Sequence, residues 1–297
     1  METVVLGRTG LTVSVAGLGC GGPSRLGCSQ GRSPDQAKAV VEAAMNQGVT
    51  YIDLAVAYGT EALVGEAIAG RRDGLVLCTK VPPMTRGRFT PWHRPPPAKE
   101  FRRTLEESLR RLKTDRLDIV MLHSLAAKDY RRCRDALVPL LQDLQREGKL
   151  RFIGVSESVD RDPEHAMLRL AADDDCWDVA MIAHNPYNAA AGRPLLARLR
   201  ETNVGVVAMV PSRWLARYAA EEAEDLLRRA ALDDSNEAQP ATESEAAPPA
   251  SPSERRRLID AAYRFCRHSP GVDLVLTGTG NLAHLQDNLR SLMAGPL

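Results

Sequence analysis

Residues 49–80, VTYIDLAVAYGTEALVGEAIAGRRDGLVLCTK, determine the fold prediction. The runs VTYIDL and LVLCTK are short, apolar and typical of buried strands, whereas TEALVGEAIAG between them has the apolar spacing of a helix. A strand, a helix and a second strand within 32 residues favour a βαβ unit, because parallel strands need a long crossover that usually contains a helix. This unit predicts an α/β protein with a parallel sheet.

The same alternation extends along the chain. Apolar strand patterns, each followed by a helical pattern, occur at VAGLGCGG, VTYIDL, LVLCTK, RLDIVMLHS, RFIGVSE, WDVAMIAHN, VGVVAMVP and VDLVLTG. The first helix is expected to be capped by Ser33 and to stop at Gly48. Two short strands around Gly7–Gly10 precede the repeats and predict a hairpin. We therefore expect one (β/α)8 TIM barrel over residues 1–297 with an N-terminal β-hairpin.

The segment 233–253, DDSNEAQPATESEAAPPASPS, interrupts the pattern. It is acidic, rich in Pro, Ala and Ser, and almost free of large apolar residues. Such a composition buries too little apolar surface to offset the entropy of ordering. A disordered insertion after the seventh strand is the main expectation, and an active-site lid is the alternative, since loops that follow barrel strands lie on the catalytic face.

Composition excludes several classes of function. The net charge of +1 provides no field that would attract nucleic acid or an anionic membrane, and aromatic residues are only 4% of the chain. The six cysteines contain no C-x-x-C pair, so metal ligation is disfavoured and free thiols in a reducing cytosol are expected. The sequence has no signal-peptide pattern and no apolar run of about 18 residues. A cytoplasmic protein without nucleic-acid or membrane partners is the expectation.

Chemistry-bearing side chains follow successive strand patterns. Asp53 and Lys80 end the second and third strands, and His123 lies at the end of the fourth. Tyr58 follows Asp53 by five residues, in the loop after the second strand. A lysine beside a phenol lowers its pKa, a carboxylate holds the lysine, and an imidazole can hydrogen-bond a carbonyl. The set suits donation of a proton to a carbonyl oxygen while a hydride reaches the carbon.

The block that carries Asp53 and Tyr58 resembles the signature of the aldo-keto reductases, with Glu61 and Gly65 also matching and Leu54 replacing the usual threonine. Lys80, the Leu122–His123 pair, the segment QREGKLRFIGVSE and the closing block LTGTGNLAHLQDNLRSL match further parts of the family pattern. The resemblance implies catalysis by Asp53, Tyr58, Lys80 and His123, with NADPH as the cofactor and NADH as an alternative. The substrate would be an aldehyde, a ketone, a sugar or a secondary alcohol.

The resemblance also implies a set of cofactor-binding residues, and helix-terminus electrostatics independently favours phosphate binding where the last helix begins. The set is Ser156, Glu157, His184, Met209, Gly278, Thr279, Gly280, Asn281, His284, Asp287 and Asn288. Glu157 and His184 stand where the family usually has amide side chains, and two cations expected at a 2′-phosphate are absent at Gly278, Thr279 and His284. Weaker preference for NADPH over NADH follows.

Substrate contacts are expected from Trp92 and Trp214, in loops after the third and seventh strands. A second function is also compatible with the sequence: a redox-sensing regulatory subunit that binds NADP(H) with weak catalysis. The altered cofactor positions and the acidic insertion favour it, whereas the complete set of four catalytic residues favours an enzyme.

Overall fold

The computed structural model describes residues 1–85, 94–159, 161–231 and 251–297. An antiparallel hairpin comes first, with strands β1 (Thr3–Val5) and β2 (Thr12–Ser14). Its turn meets the barrel wall closely, since a Cβ on Gly7 would lie 2.3 Å from the backbone nitrogen of Gly205. The hairpin residues Leu6, Leu11 and Val13 are buried with the side chains of the barrel lumen. The hairpin therefore closes the end of the barrel at which the strands begin.

Eight strands form a closed barrel in the order β10-β3-β4-β5-β6-β7-β8-β9, and every neighbouring pair is parallel. These strands are β3 (Ala16–Gly19), β4 (Tyr51–Asp53), β5 (Val76–Val81), β6 (Leu117–Leu125), β7 (Leu150–Glu157), β8 (Val179–Ile182), β9 (Gly205–Ala208) and β10 (Leu274–Thr277). The predicted (β/α)8 barrel with an N-terminal hairpin is confirmed.

Helices surround the strands. They are α1 (Pro34–Asn46), α2 (Glu61–Ala67), α3 (Ala98–Leu112), α4 (Tyr130–Arg146), α5 (Ala166–Ala171), α6 (Ala189–Glu201), α7 (Ala220–Ala231), α8 (Pro252–His268) and α9 (Leu282–Met293). The start of α1 agrees with the sequence, because the Ser33 hydroxyl accepts a hydrogen bond from the Gln36 backbone N–H. None of the helices in the described ranges is long and apolar enough to span a membrane.

Strand side chains alternate between two apolar layers, as the period of a strand requires. One layer fills the lumen and includes Tyr51, Cys78, Met121 and Met181. The other layer lies between the strands and the helices. In β4 and β5 it contains the residues that alternate with the lumen-facing ones, such as Ile52 and Leu77. This alternation decides whether a polar residue at a strand end faces the lumen or the helices.

The region after β9 differs from the sequence-based prediction. Residues 220–231 form α7, a helix that was not expected there. The helix α8 begins at Pro252, with Ser251 as its N-cap, so residues 251–253 belong to a capped helix start and not to the insertion. Capping explains the earlier start, since Ser-Pro-Ser-Glu supplies a cap, a proline in the first turn and a glutamate that bonds back to the Ser251 backbone. Residues 233–250 of the expected insertion lie outside the described residues.

Candidate active site at the mouth of the barrel

Three neighbouring strands bring Asp53, Lys80 and His123 to one side of the barrel mouth. In β4 and β5, Asp53 and Lys80 continue the rows of lumen-facing residues that contain Tyr51 and Cys78. Because β4, β5 and β6 are parallel neighbours, the ends of these strands lie side by side. The sequence-based expectation that these side chains converge agrees with the structure.

Asp53 and Lys80 form a buried ion pair. The Lys80 Nζ donates to Asp53 Oδ1 at 2.5 Å and to the Leu54 carbonyl at 2.9 Å, and the side chains are 1% and 3% exposed. Burial opposes the charge on Lys80, but the Asp53 carboxylate and the Tyr58 phenol outweigh it and hold the Lys80 pKa above its ordinary value. Burial raises the pKa of Asp53, and Lys80 opposes that rise. Lys80 is therefore a fixed cation at neutral pH.

Tyr58 reaches this cation from a short turn. A 3₁₀ turn at Val56–Tyr58 ends at Gly59, whose φ is 73°, a backbone conformation that glycine adopts without steric cost. The Lys80 Nζ lies 3.4 Å from the Tyr58 hydroxyl oxygen. Burial raises the pKa of Tyr58 above its ordinary value, and Lys80 opposes that rise. The expected effect of Lys80 on the phenol is present, but burial is stronger, so Tyr58 carries its proton at neutral pH.

His123 lies beside the phenol ring. The rings of Tyr58 and His123 meet edge to face, with centroids 5.5 Å apart. The pairing of β6 with β7 shifts register between Leu122 and Leu125, and Ser124 adopts a φ of 51°. Such irregularities bend a strand and redirect its side chains. Burial and then the Lys80 charge lower the pKa of His123 to about 3, so the imidazole is neutral at physiological pH.

Glu61 fixes the segment that follows Tyr58. Its buried carboxylate accepts from Thr79 Oγ1 at 2.7 Å, from Ser108 Oγ at 3.2 Å and from Arg111 Nε at 2.7 Å. These bonds join α2 to β5 and α3. Gly65 permits the contact between helices, because a Cβ there would lie 2.5 Å from the Arg111 carbonyl oxygen. The Glu-x-x-x-Gly part of the sequence motif therefore supports the Tyr58 turn and takes no part in the chemistry itself.

Gly21, in the loop after β3, is packed against the tyrosine, a role that the sequence did not indicate. A Cβ on Gly21 would lie 2.4 Å from Cε2 of the Tyr58 ring. The phenol ring therefore lies directly on the backbone of the loop after β3. No sequence signal distinguished Gly21 from Gly22 for this role.

Ser156 and Met209 have positions suited to a cofactor at the mouth. Ser156 ends the lumen-facing row of β7, in which a Cβ on Gly154 would contact the lumen residue Met121. Met209 follows β9, is 9% exposed and packs with the lumen side chains. The Ser156 hydroxyl donates to the Glu157 carbonyl at 3.3 Å, a weak bond that a ligand can replace.

Glu157 and His184 lie on the helix side of the wall, which differs from the expected contact with a cofactor. The Glu157 carboxylate accepts from the Ala183 backbone N–H at 2.6 Å and lies 3.0 Å from His165 Nδ1. His184 stacks on Phe265 of α8, with centroids 5.4 Å apart. The physical reason is strand alternation: the residue after lumen-facing Ser156 points outward. Both side chains would have to leave these contacts to reach a ligand in the lumen.

The start of α9 forms a compact turn beside the loop after β3. A Cβ on Gly280 would lie 2.3 Å from Gly27 Cα, so a larger residue at position 280 has no space. The Asn281 Oδ1 already accepts from the backbone N–H groups of Ala283 and His284. An anion bound here would share or displace this cap, since those N–H groups are the ones a helix N-terminus offers.

The other residues predicted to bind the cofactor near the start of α9 make different contacts from one another. Thr279 Oγ1 accepts from the Asn281 N–H at 3.1 Å, and a Cβ on Gly278 would lie 3.0 Å from the Gly19 carbonyl oxygen. Asn288 Nδ2 donates to Thr277 Oγ1 at 2.8 Å and so joins α9 to β10. His284 is exposed. Asp287 pairs with Arg290 at 2.9 Å and lies 3.9 Å from Arg256 of α8.

The two tryptophans proposed as substrate contacts have different outcomes. Trp214 is 4% exposed and packs between α7 and α8 with Ala223, Leu227 and Leu258. Its indole N–H donates to the Pro211 carbonyl at 2.8 Å. Trp214 therefore packs as a core residue of this region. Trp92 lies outside the described residues.

Comparison with known proteins identifies the family. A family model described as the aldo/keto reductase family matches residues 18–297. The chain belongs to the aldo/keto reductase family. The prediction of an NAD(P)H-dependent oxidoreductase acting on carbonyl or alcohol substrates is confirmed at this level, and the regulatory-subunit alternative is not favoured.

This aldo/keto reductase is 26% identical to L-galactose dehydrogenase of Arabidopsis thaliana over 98% of the chain and 88% of the relative. It is 32% identical to 6-dehydroglucose reductase of Novosphingobium aromaticivorans over 51% of the chain and 50% of the relative. Matches to several curated relatives thus span about half of their length. An aldo/keto reductase of Klebsiella pneumoniae, solved with NADP and acetate, is 25% identical with a TM-score of 0.67, covering 100% of this chain and 91% of that one.

Proposed function

We propose that this aldo/keto reductase interconverts a small carbonyl compound and its alcohol, with Tyr58 as the group that gives and takes the proton. The observation that carries the proposal is the 3.4 Å contact between the Tyr58 hydroxyl and a lysine that is itself held by Asp53. A buried cation beside a phenol stabilises the phenolate left behind when the proton moves to the substrate oxygen.

The four residues divide the work. Tyr58 carries its proton at neutral pH and would donate it to the carbonyl oxygen. A nicotinamide cofactor held at the barrel mouth by residues such as Ser156 and Met209 would supply the hydride. Lys80 stabilises the developing phenolate, and Asp53 keeps the Lys80 ammonium in place. Neutral His123, beside the Tyr58 ring, donates a hydrogen bond to the same oxygen and fixes its direction of approach. In the reverse direction the Tyr58 phenolate, stabilised by Lys80, would take the proton from an alcohol.

Two parts of the barrel mouth suit a nicotinamide cofactor, one for its nicotinamide ring and one for a phosphate group. Ser156 lies on the lumen wall with a replaceable hydrogen bond, and Met209 offers a polarisable surface to a flat ring. The helix α9 is twelve residues long, and the backbone N–H groups at its N-terminus suit a phosphate. We propose Ser156, Met209, Gly278, Thr279, Gly280, Asn281, His284, Asp287 and Asn288 as the cofactor-binding residues. Glu157 and His184 lie on the helix side of the strands, so they would influence the cofactor only indirectly, through the residues that line the lumen.

NADPH is the proposed cofactor, in line with the Klebsiella structure solved with NADP. NADH is the alternative, and two features of this chain favour some use of it. Position 280 has no space for a side chain that could hold a 2′-phosphate. Asp287 places a carboxylate in the second turn of the same helix, although Arg256 and Arg290 lie beside it. Weak discrimination between the two cofactors follows.

A sugar or another small polyhydroxylated carbonyl compound is the proposed substrate class. The supporting observation is that two relatives are named for acting on a sugar or a dehydrosugar. A cytoplasmic location is proposed together with this role, since both cofactors occur there. Trp92 is kept as a substrate-contact proposal.

Tyr58→Phe tests the proposal directly. Loss of the hydroxyl removes the proton donor but keeps the ring that packs on Gly21, so turnover should fall by about 10²–10⁴-fold. Binding of NADPH and NADH, measured by tryptophan fluorescence, should be unchanged. Wild-type turnover by Tyr58→Phe would refute the assignment, and loss of cofactor binding would show that the variant is misfolded or that Tyr58 contacts the cofactor.

A further inference from the structure

A second group of buried polar side chains lies behind the barrel wall, outside the catalytic site. It consists of Glu157 at the end of β7, His165 before α5, His184 after β8 and Ser269 after α8, with the backbone of Gly192 in α6 beside them, and is called here the outer histidine cluster. The side chains of Glu157 and His165 are fully buried, and His184 is 1% exposed. Buried polar groups need hydrogen-bond partners, so each must be accounted for.

The bond between Glu157 and His165 fixes one imidazole. His165 Nδ1 lies 3.0 Å from both oxygens of the Glu157 carboxylate. An ionised carboxylate only accepts hydrogen bonds, so Nδ1 carries the proton. In the neutral ring, His165 Nε2 is then a bare acceptor.

Ser269 fixes the second imidazole in the same way. The Ser269 hydroxyl donates its single proton to the Phe265 carbonyl at 2.9 Å. Ser269 Oγ must therefore accept from His184 Nε2, which lies 2.9 Å away. Burial, and then the neighbouring His165 and Arg193, lower the pKa of His184 to about 3, so its ring is neutral. The proton is on Nε2, and His184 Nδ1 is also a bare acceptor.

The two bare nitrogens converge on one place. His165 Nε2 and His184 Nδ1 are buried and have no hydrogen-bond partner among the residues the structure describes. A Cβ on Gly192 would lie 2.8 Å from His184 Nδ1 and 3.5 Å from His165 Nε2. The absence of a side chain at position 192 leaves both nitrogens beside the same stretch of helix backbone.

We propose that His165 Nε2 and His184 Nδ1 together bind one internal water molecule, which donates a hydrogen bond to each. Two hydrogen-bond acceptors that face the same space require a bound molecule with two hydrogen-bond donors. Water is the smallest molecule that supplies them. A metal ion is not favoured, because the described ranges contain no group of three or more His, Cys, Asp or Glu side chains that could hold one. The water completes a chain from Glu157 through both imidazoles to Ser269.

This chain connects parts of the molecule that are far apart in sequence. At one end, Glu157 accepts from the Ala183 N–H and so joins the end of β7 to the segment after β8. At the other end, Ser269 follows α8. The inference goes beyond the proposed function and does not depend on it, since no catalytic residue belongs to the outer histidine cluster.

A crystal structure of the full chain at high resolution, together with nitrogen-15 NMR of the histidine rings, tests the proposal. The expected result is one ordered water within hydrogen-bond distance of both nitrogens. The NMR spectra should show neutral rings of opposite tautomer, with the proton on Nδ1 in His165 and on Nε2 in His184. A direct bond between the two rings, a doubly protonated His165, or absence of the water would each overturn it.

Gly192→Ala gives a second test, with Gly74→Ala as the matched control. Position 192 lies in α6, where helix propensity alone favours alanine, but the new Cβ would lie 2.8 Å from His184 Nδ1 and must displace that ring, so a lower melting temperature is expected with or without a water. A purely steric effect should shift only the His184 signals, because 3.5 Å from the Cβ to His165 Nε2 is an ordinary contact. Our proposal predicts loss of the water and shifted ring signals of both histidines. Gly74 has open space around its Cβ position and should tolerate the change. A stabilised Gly192→Ala protein with unchanged ring signals would contradict the water site.

Discussion

The two faces of the barrel wall carry two buried polar clusters of opposite character. On the lumen side, the Lys80–Asp53 pair adjoins Tyr58 and His123, which are only partly buried and so remain open to a substrate. On the helix side, Glu157, His165 and His184 are sealed beneath helices. Both clusters contain a carboxylate and an imidazole. The difference shows that access, more than residue type, separates a site for chemistry from a site that holds strands and helices together.

Removing one partner of the Lys80–Asp53 ion pair should have the largest effect on stability and turnover. Lys80→Met leaves the buried Asp53 carboxylate without its partner, which costs about 3–5 kcal/mol of unfolding free energy. It also removes the cation that stabilises the Tyr58 phenolate, so turnover should fall by about 10²–10⁴-fold. Steady-state kinetics and urea unfolding measure both effects.

The double variant Lys80→Met with Asp53→Asn is the control for that experiment. It removes both charges, so most of the lost stability should return because no uncompensated charge remains buried. Activity should stay low. Recovery of activity in the double variant would show that the pair is structural only.

Displacement of Tyr58 without any change in charge should have the next largest effect. A Cβ from Gly21→Ala would lie 2.4 Å from the phenol ring and must push it away. A misplacement of this kind lowers turnover by up to about 10²-fold. Gly19→Ala, whose Cβ would lie 3.6 Å from the Thr277 carbonyl oxygen, should change turnover little. Equal kinetics for the two variants would show that the ring position is unimportant.

Glu157→Gln tests the helix side. Loss of the charge-assisted bond to His165 should lower the unfolding free energy by about 1–3 kcal/mol. The dissociation constant for NADPH should stay close to that of the wild type, because the side chain faces away from the lumen. A rise of about tenfold or more would mean that Glu157 contacts the cofactor, as the position in the sequence motif suggested.

The pH dependence of stability links the two clusters. The pKa of both His123 and His184 is held at about 3 in the folded chain, against an ordinary 6.5. Below about pH 6.5 the unfolded chain therefore binds more protons, so stability falls on acidification towards pH 3. The slope is about 1.4 kcal/mol per pH unit for each histidine. Urea unfolding between roughly pH 6.5 and 5 measures it.

Replacing either histidine by glutamine should reduce this slope by the contribution of one proton. The two variants should differ in kinetics, since only His123→Gln removes a group beside Tyr58. An unchanged slope in both variants would mean that neither imidazole is held neutral by the fold. Equal loss of turnover in both variants would remove the functional distinction between the two faces.

The convergence of the candidate catalytic residues could be predicted because strand ends are visible in the sequence. Asp53, Lys80 and His123 each lie at or near the end of an apolar run, and parallel strands necessarily end on the same edge of a barrel. Tyr58 could be placed beside them because five residues of loop cannot carry it far from Asp53. The register shift after Leu122 and the packing of Tyr58 on Gly21 left no comparable trace in the sequence.

Predictions that rested only on the place of a residue in a motif or loop agreed less well with the structure. Glu157 and His184 were assigned to a cofactor because of their places in motifs, but a side chain's face depends on the register of its strand. Trp214 was assigned to the substrate pocket as an aromatic residue in a mouth loop, yet it packs with α7, a helix that the sequence pattern did not reveal. Each of these differences arises from contacts with elements distant in the chain.

The sequence by itself determined the alternation of strands and helices, the closing hairpin and the polar residues at three strand ends. It could do so because hydrophobic spacing and local turn chemistry act within a few residues. Only the tertiary structure decided which face each polar group meets, including the bond between His184 and Ser269 across 85 residues. Such partners are selected by strand register and helix packing, which join distant segments and leave no local pattern.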